Sequence, residues 1–138
     1  MTILTPRRMV EISGTEALWL LEGAVRGRLV YVQREGAVVR PAVHRLKYGR
    51  LIVRSPARAA ASSGRATLTY QADEIKVAGG TGWTVTAVGP AEVIKDPDEA
   101  AHYRRTLFGW AHGPHDTLVR IQPQRVTGYR LAHAESVR

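Results

Sequence analysis

The 138-residue sequence contains no cysteine, which excludes disulfides, thiolate metal sites and cysteine nucleophiles together and leaves no need for an oxidising compartment. It has no apolar stretch long enough to span a bilayer, and Arg7 and Arg8 are followed by no hydrophobic run of the kind a secretory signal carries. A cytoplasmic protein that stays out of the membrane is the expectation. Phenylalanine occurs once and lysine three times, and acids are nearly missing from one segment. From Arg26 to Arg65 ten basic residues face the single Glu35, whereas the rest of the chain carries ten bases against eleven acids. The formal charge of +8 therefore resides in that one segment. Such a concentration of like charge resists its own compaction and points to an anionic ligand. For any single arginine the plainer reading is a solvated face, since 17 of the 20 bases are arginine and alanine and glycine are abundant, a bias of GC-rich coding.

What is present reads as one domain, 1–138, with residues 1–12 and 132–138 as peripheral arms. Apolar and charged residues, 44% and 23%, are near ordinary globular usage. Ser13-Gly14-Thr15-Glu16 has the spacing of a capping box ahead of Ala17-Leu18-Trp19-Leu20-Leu21, which predicts a first helix. Leu18, Leu21 and Val25 recur at helical spacing and should face the interior, with Trp19 in a core or an interface. From Gly27 the pattern turns to strand: Arg28 to Val32, then Val38 to Lys47 with a local irregularity at Pro41, then Leu51 to Ser55. The alanine-rich stretch from Ala57 to Ser63 reads as a short helix. Strands follow at Ala66 to Ala72, where apolar and polar residues alternate, and at Trp83 to Ile94, bent at Gly89-Pro90. A helix from Asp96 to about Phe108 and closing strands at Thr117 to Ile121 and Val126 to Leu131 complete the pattern. Six or seven mostly antiparallel strands with short helices predict a mainly β fold, a closed or split β-barrel.

The ordered pieces Gly27-Arg28-Leu29, Pro41, Arg54-Ser55, Gly82-Trp83-Thr84-Val85 with Gly89 and Ala91, and Val119-Arg120-Ile121 with Pro123, Val126-Thr127-Gly128 and Arg130 resemble the pyridoxamine 5'-phosphate oxidase-like split-barrel family that binds FMN. The resemblance covers roughly residues 13 to 131. It implies a homodimer with the cofactor at the subunit interface, a small-molecule substrate, and flavin-dependent oxidoreductase chemistry. It also implies site residues: Arg54, Ser55 and Arg58 to hold the phosphate, and Trp83 and His44 to wall the ring. A guanidinium fork with a hydroxyl donor suits a phosphate dianion. Relatives commonly read G-T-K or S-R-K at the clamp, where this chain reads Pro56-Ala57-Arg58-Ala59-Ala60. FMN, a deazaflavin, haem and no cofactor therefore stay open.

Other constellations are weaker. His102, His112, His115 and His133 lack metal-ligand spacing, so no metal is expected. Ser62 and Ser63 have no G-x-S-x-G context, and Gly79-Gly80-Thr81-Gly82 lacks the lysine of a phosphate loop. The rival class is nucleic-acid binding, with Tyr31 and Tyr48 inside the basic segment. It ranks below the flavin because aromatics do not recur along the basic strands.

Overall fold

A computed structural model describes residues 7–34, 36–56, 67–76, 78–107 and 116–133. In chain order the elements are β1 (Arg7–Ile12), α1 (Gly14–Gly23), β2 (Arg26–Gln33), β3 (Gly36–Lys47), β4 (Arg50–Pro56), β5 (Thr67–Lys76), β6 (Thr81–Val93), α2 (Pro97–Thr106), β7 (Asp116–Ile121) and β8 (Arg125–His133). The predicted helix at 57–63 lies outside the described residues. All strand pairings are antiparallel. The order β6-β5-β2-β3-β4-β7 closes on itself through a β6–β7 pairing, giving a six-stranded ring, and β8 followed by β1 extends from β6.

The split falls where the bend was predicted. Along one edge β6 pairs with β8 from Gly82 to Val88, then with β7 from Ala91 to Val93. Between these ladders the chain joining β7 to β8 crosses: Gln122 N–H donates to the Pro90 carbonyl and Gln124 N–H to that of Val88, each at 2.9 Å. A Cβ on Gly89 would lie 1.8 Å from the Gln122 carbonyl oxygen, so only glycine admits this crossing.

Two apolar clusters flank the sheet. The ring interior holds Leu29, Leu51, Val53, Tyr70, Val85 and Ile121 among others, closed at one end by Ala17 and Leu21 of α1. A second cluster, Val43, Ile52, Ile94, Ala100, Tyr103, Leu107 and Leu118, lies between α2 and the outside of β3, β4 and β7. Covered on both faces, β4 is buried from Leu51 through Ser55, as its continuous apolar run requires. β5 keeps the predicted alternation, with Leu68, Tyr70 and Ala72 inward.

The helices are set by their caps. Ser13 Oγ accepts from the Glu16 N–H at 3.1 Å, but the Glu16 carboxylate turns to Arg130 at 2.9 Å, so the reciprocal half of the capping box is replaced by a tie to β8. Asp96 caps α2 by accepting from the Glu99 N–H, and Asp98, Glu99, Arg104 and Arg105 complement the helix dipole. One expectation, that Val25 faces the interior, is corrected: Val25 lies beyond the end of α1 at Gly23 and is 64% exposed. Residues 7–12, read as part of an arm, form β1 on β8. Trp19 is 69% exposed, which removes the core and leaves the interface of its two expected placements.

Candidate functional site

His44 sits on β3 with its side chain inside the barrel, 3% exposed. Its Nε2 lies 2.8 Å from the Leu21 carbonyl and its Nδ1 2.5 Å from the Tyr70 hydroxyl. A carbonyl only accepts, so Nε2 carries the proton, and Nδ1 of the neutral ring accepts from Tyr70. Burial lowers the His44 pKa below its usual value, while the Leu21 bond opposes the shift, and burial raises the Tyr70 phenol far above its own. Gly27 makes room for this pair: a Cβ there would stand 2.6 Å from the Tyr70 ring. His44 is a fully bonded core residue that ties β3 and β5 to the last turn of α1.

Arg54 is also committed. Its Nε and Nη2 form a fork on the two Asp116 oxygens at 3.0 and 2.9 Å, and Nη1 reaches the carbonyls of Leu107 at 3.2 Å and Arg104 at 3.4 Å. Four of its five N–H donors are thereby engaged within the chain. The Asp116 hydrogen bonds hold the guanidinium above its ordinary pKa. Ser55 is 0% exposed and donates to the Pro41 carbonyl at 2.9 Å. Neither presents a free donor fork to a phosphate. Arg58, the third clamp residue, lies outside the described residues.

Trp83 is 9% exposed and part of the interior cluster, yet one side of it borders a cleft of about 350 Å³ with Trp19, Leu20, Glu22, Gly23 and Glu74. Trp19 on α1, which the sequence places in a core or an interface, is the lining residue that sequence reasoning misses, because no local signal joins it to Trp83 on β6. A second cleft, about 430 Å³, is lined by Lys47, Tyr48, Arg50, Ile52, Glu99, Tyr103 and Arg120. A third, about 720 Å³, lies at the β2–β3 tip beside Gln33, Arg34 and Gly36 to Val38. Below that tip the outer sheet face carries Val32, 82% exposed, and Val39, 50% exposed.

The ring with its split, one helix closing an end and another packed outside, is the architecture of a split-barrel oxidase fold. The chain belongs to the pyridoxamine 5'-phosphate oxidase family, whose model matches residues 13–130. It is 34% identical over 133 residues, 91% of this chain and 87% of the relative, to the uncharacterized protein Rv0080 of Mycobacterium tuberculosis. A crystal structure from Corynebacterium glutamicum, provisionally assigned as a pyridoxamine 5'-phosphate oxidase, superposes with a TM-score of 0.68 at 25% identity, covering 94% of this chain and 96% of that one. An FAD-binding protein from Mycobacterium smegmatis shares the fold with a TM-score of 0.62 at 23% identity, covering 89% and 97%. Among the described residues no helix is long and apolar enough to cross a membrane.

Proposed function

We propose that this protein is a flavin-dependent oxidoreductase-like member of its family, a homodimer of single barrels that binds FMN at the subunit interface and acts on a small-molecule substrate. The observation that carries the reading is the pair of indoles, Trp19 and Trp83, that line one open cleft from two different elements. A planar ring system fits between such walls, because aromatic faces bury large area at defined geometry. Trp19 at 69% exposure leaves one wall without a cover, which a second subunit or the ring supplies. The exposed Val32 and Val39 on β2 and β3 support self-association. Membership of the family, and a fold shared with an FAD-binding protein, make a flavin the first cofactor to test.

The residues fit the two halves of FMN unequally. The ring fits the indole cleft. The phosphate does not fit Arg54 and Ser55 as direct ligands, since Asp116, two carbonyls and Pro41 take their donors. Arg54 instead positions the end of β4, and phosphate binding falls to Arg58 in the segment that follows. A bound flavin supplies hydride or electron transfer; the chain holds the ring and excludes water around it.

The test is the visible spectrum of the purified protein followed by titration with FMN, and in parallel with a deazaflavin. Binding at micromolar concentration that W83A and R58A each weaken supports the reading. If neither ring binds, the flavin assignment is overturned. If only the deazaflavin binds, the cofactor changes while the site stands. Light scattering of V32D/V39D reads the dimer, and a wild-type protein that is already monomeric removes the interface.

A further inference from the structure

The turn joining β3 to β4 is built against its own stability. Lys47 pairs with Arg50 across a two-residue loop, and both loop residues have positive φ, Tyr48 at 52° and Gly49 at 75°. This is the pattern of a type I′ hairpin turn, whose first position favours asparagine, aspartate or glycine. A tyrosine there is a backbone outlier, and at 93% exposure it gains little from burial to offset the strain. An observed strain of this kind at an exposed aromatic points to a function for the ring.

The surroundings say what the ring could meet. Lys47 holds its ammonium 5.8 Å from the centroid of the Tyr48 ring and 5.9 Å from that of Tyr103. Lys47, Tyr48 and Arg50 line one cleft with Arg120. Arg45 lies two pairing rows away, opposite Ile52, which is itself opposite Arg120, so these side chains share the outer face. Arg120 is paired with both Glu92 at 2.7 Å and Glu99 at 2.5 Å, and Glu99 lines the same cleft, so this end of it carries no positive excess. Among the described residues no carboxylate pairs with Arg45, Lys47 or Arg50. Three cations without a carboxylate partner thus run along a strand pair beside an exposed aromatic platform, Lys47 among them already resting against the Tyr48 and Tyr103 rings. Arg45 stands outside the cleft, so the positive track continues beyond the space a single phosphate would fill.

We propose that this hairpin is a binding surface for single-stranded nucleic acid, with Tyr48 stacking on a base and Arg45, Lys47 and Arg50 contacting successive phosphates. Stacking on an aromatic together with a basic track is how sequence-tolerant strand binding works. The surface shares no lining residue with the Trp19–Trp83 cleft, so it stands or falls apart from the flavin reading.

The test is fluorescence anisotropy of a labelled ten-nucleotide oligothymidylate with flavin-free protein, alongside thermal unfolding. The substitution Tyr48→Asn leaves the net charge unchanged. It is expected to raise the unfolding midpoint while weakening oligonucleotide binding by at least about fivefold, and Tyr48→Phe keeps the binding. Neutralising three phosphates gives a slope of about −2 in log affinity against log salt, and the triple change R45Q/K47Q/R50Q removes most of that slope. The exposed Arg26→Gln is the control and leaves binding near wild type. Three results overturn the proposal: Y48N binds like wild type, Y48N fails to raise the midpoint, or the triple change weakens binding no more than R26Q. Equal competition by AMP, nucleotide for nucleotide, also overturns it and makes the cleft a small-molecule subsite.

Discussion

Replacing Arg54 with alanine separates a strut from a ligand. In the native chain the Arg54 and Asp116 side chains are 9% and 11% exposed and joined by a two-bond fork. Removing the guanidinium strands a nearly buried carboxylate and frees the carbonyls of Arg104 and Leu107 at the end of α2. Breaking a buried pair from one side costs about 3–5 kcal/mol. Arg104, 3.6 Å from the same carboxylate but 44% exposed, offers partial relief and places the expected loss near the lower end, about 3 kcal/mol. For a chain of this length that corresponds to a midpoint lower by roughly 10 °C. Lysine at 54 restores the charge but not the fork, and about half the loss should remain. The assay is urea unfolding of cofactor-free protein followed by circular dichroism. If Arg54 served a phosphate, the cofactor-free protein would barely notice its removal. A loss below about 1 kcal/mol therefore refutes the strut.

The remaining expectations are shorter. Because the folded His44 imidazole has a lowered pKa, the unfolded chain takes up its proton first. Stability is complete above about pH 6.5 and falls as pH drops from there toward the folded value; urea midpoints between pH 5 and 8 should show this, and H44Q should flatten it. Gly27→Ala drives a methyl to 2.5 Å from the Gln71 carbonyl and 2.6 Å from Tyr70, and calorimetry should record a loss of about 1–3 kcal/mol. Trp83→Ala should cost about 3–5 kcal/mol by removing a buried indole, whereas Trp19→Ala, 69% exposed, should stay within about 0.5 kcal/mol. Both should nevertheless weaken flavin binding in the same titration.

Most of the barrel was legible because its signals are local. Alternation in β5, the unbroken apolar run of β4 and the Gly89-Pro90 bend each follow from a few adjacent residues. β1 escaped because Arg7 and Arg8 open it and its pairing partner lies at the far end of the chain. Val25 kept the helical period on paper, but α1 stops two residues before it. The site was harder for the same reason. An Arg-Ser pair at a strand end looks alike whether it serves a phosphate or the protein, and the residue that decides, Asp116, is 62 positions away. His44 shares strand parity with the buried Ala42, which hinted at an inward side chain, but its partner Tyr70 could be found only once β2 and β5 were paired.

β6 pairs with three other strands, and its contacts are divided so that Ala91 to Val93 alone complete the ring. The β1–β8 ribbon is held by the separate ladder from Gly82 to Val88, by the Glu16–Arg130 tie and by Ile12 and Val126, which are only partly buried against the interior cluster. The ribbon can consequently peel off as a unit while the six-stranded cylinder stays shut. Its amide protons should trade with deuterium through that partial opening, well before those of β4, whose release demands that the cylinder itself come apart.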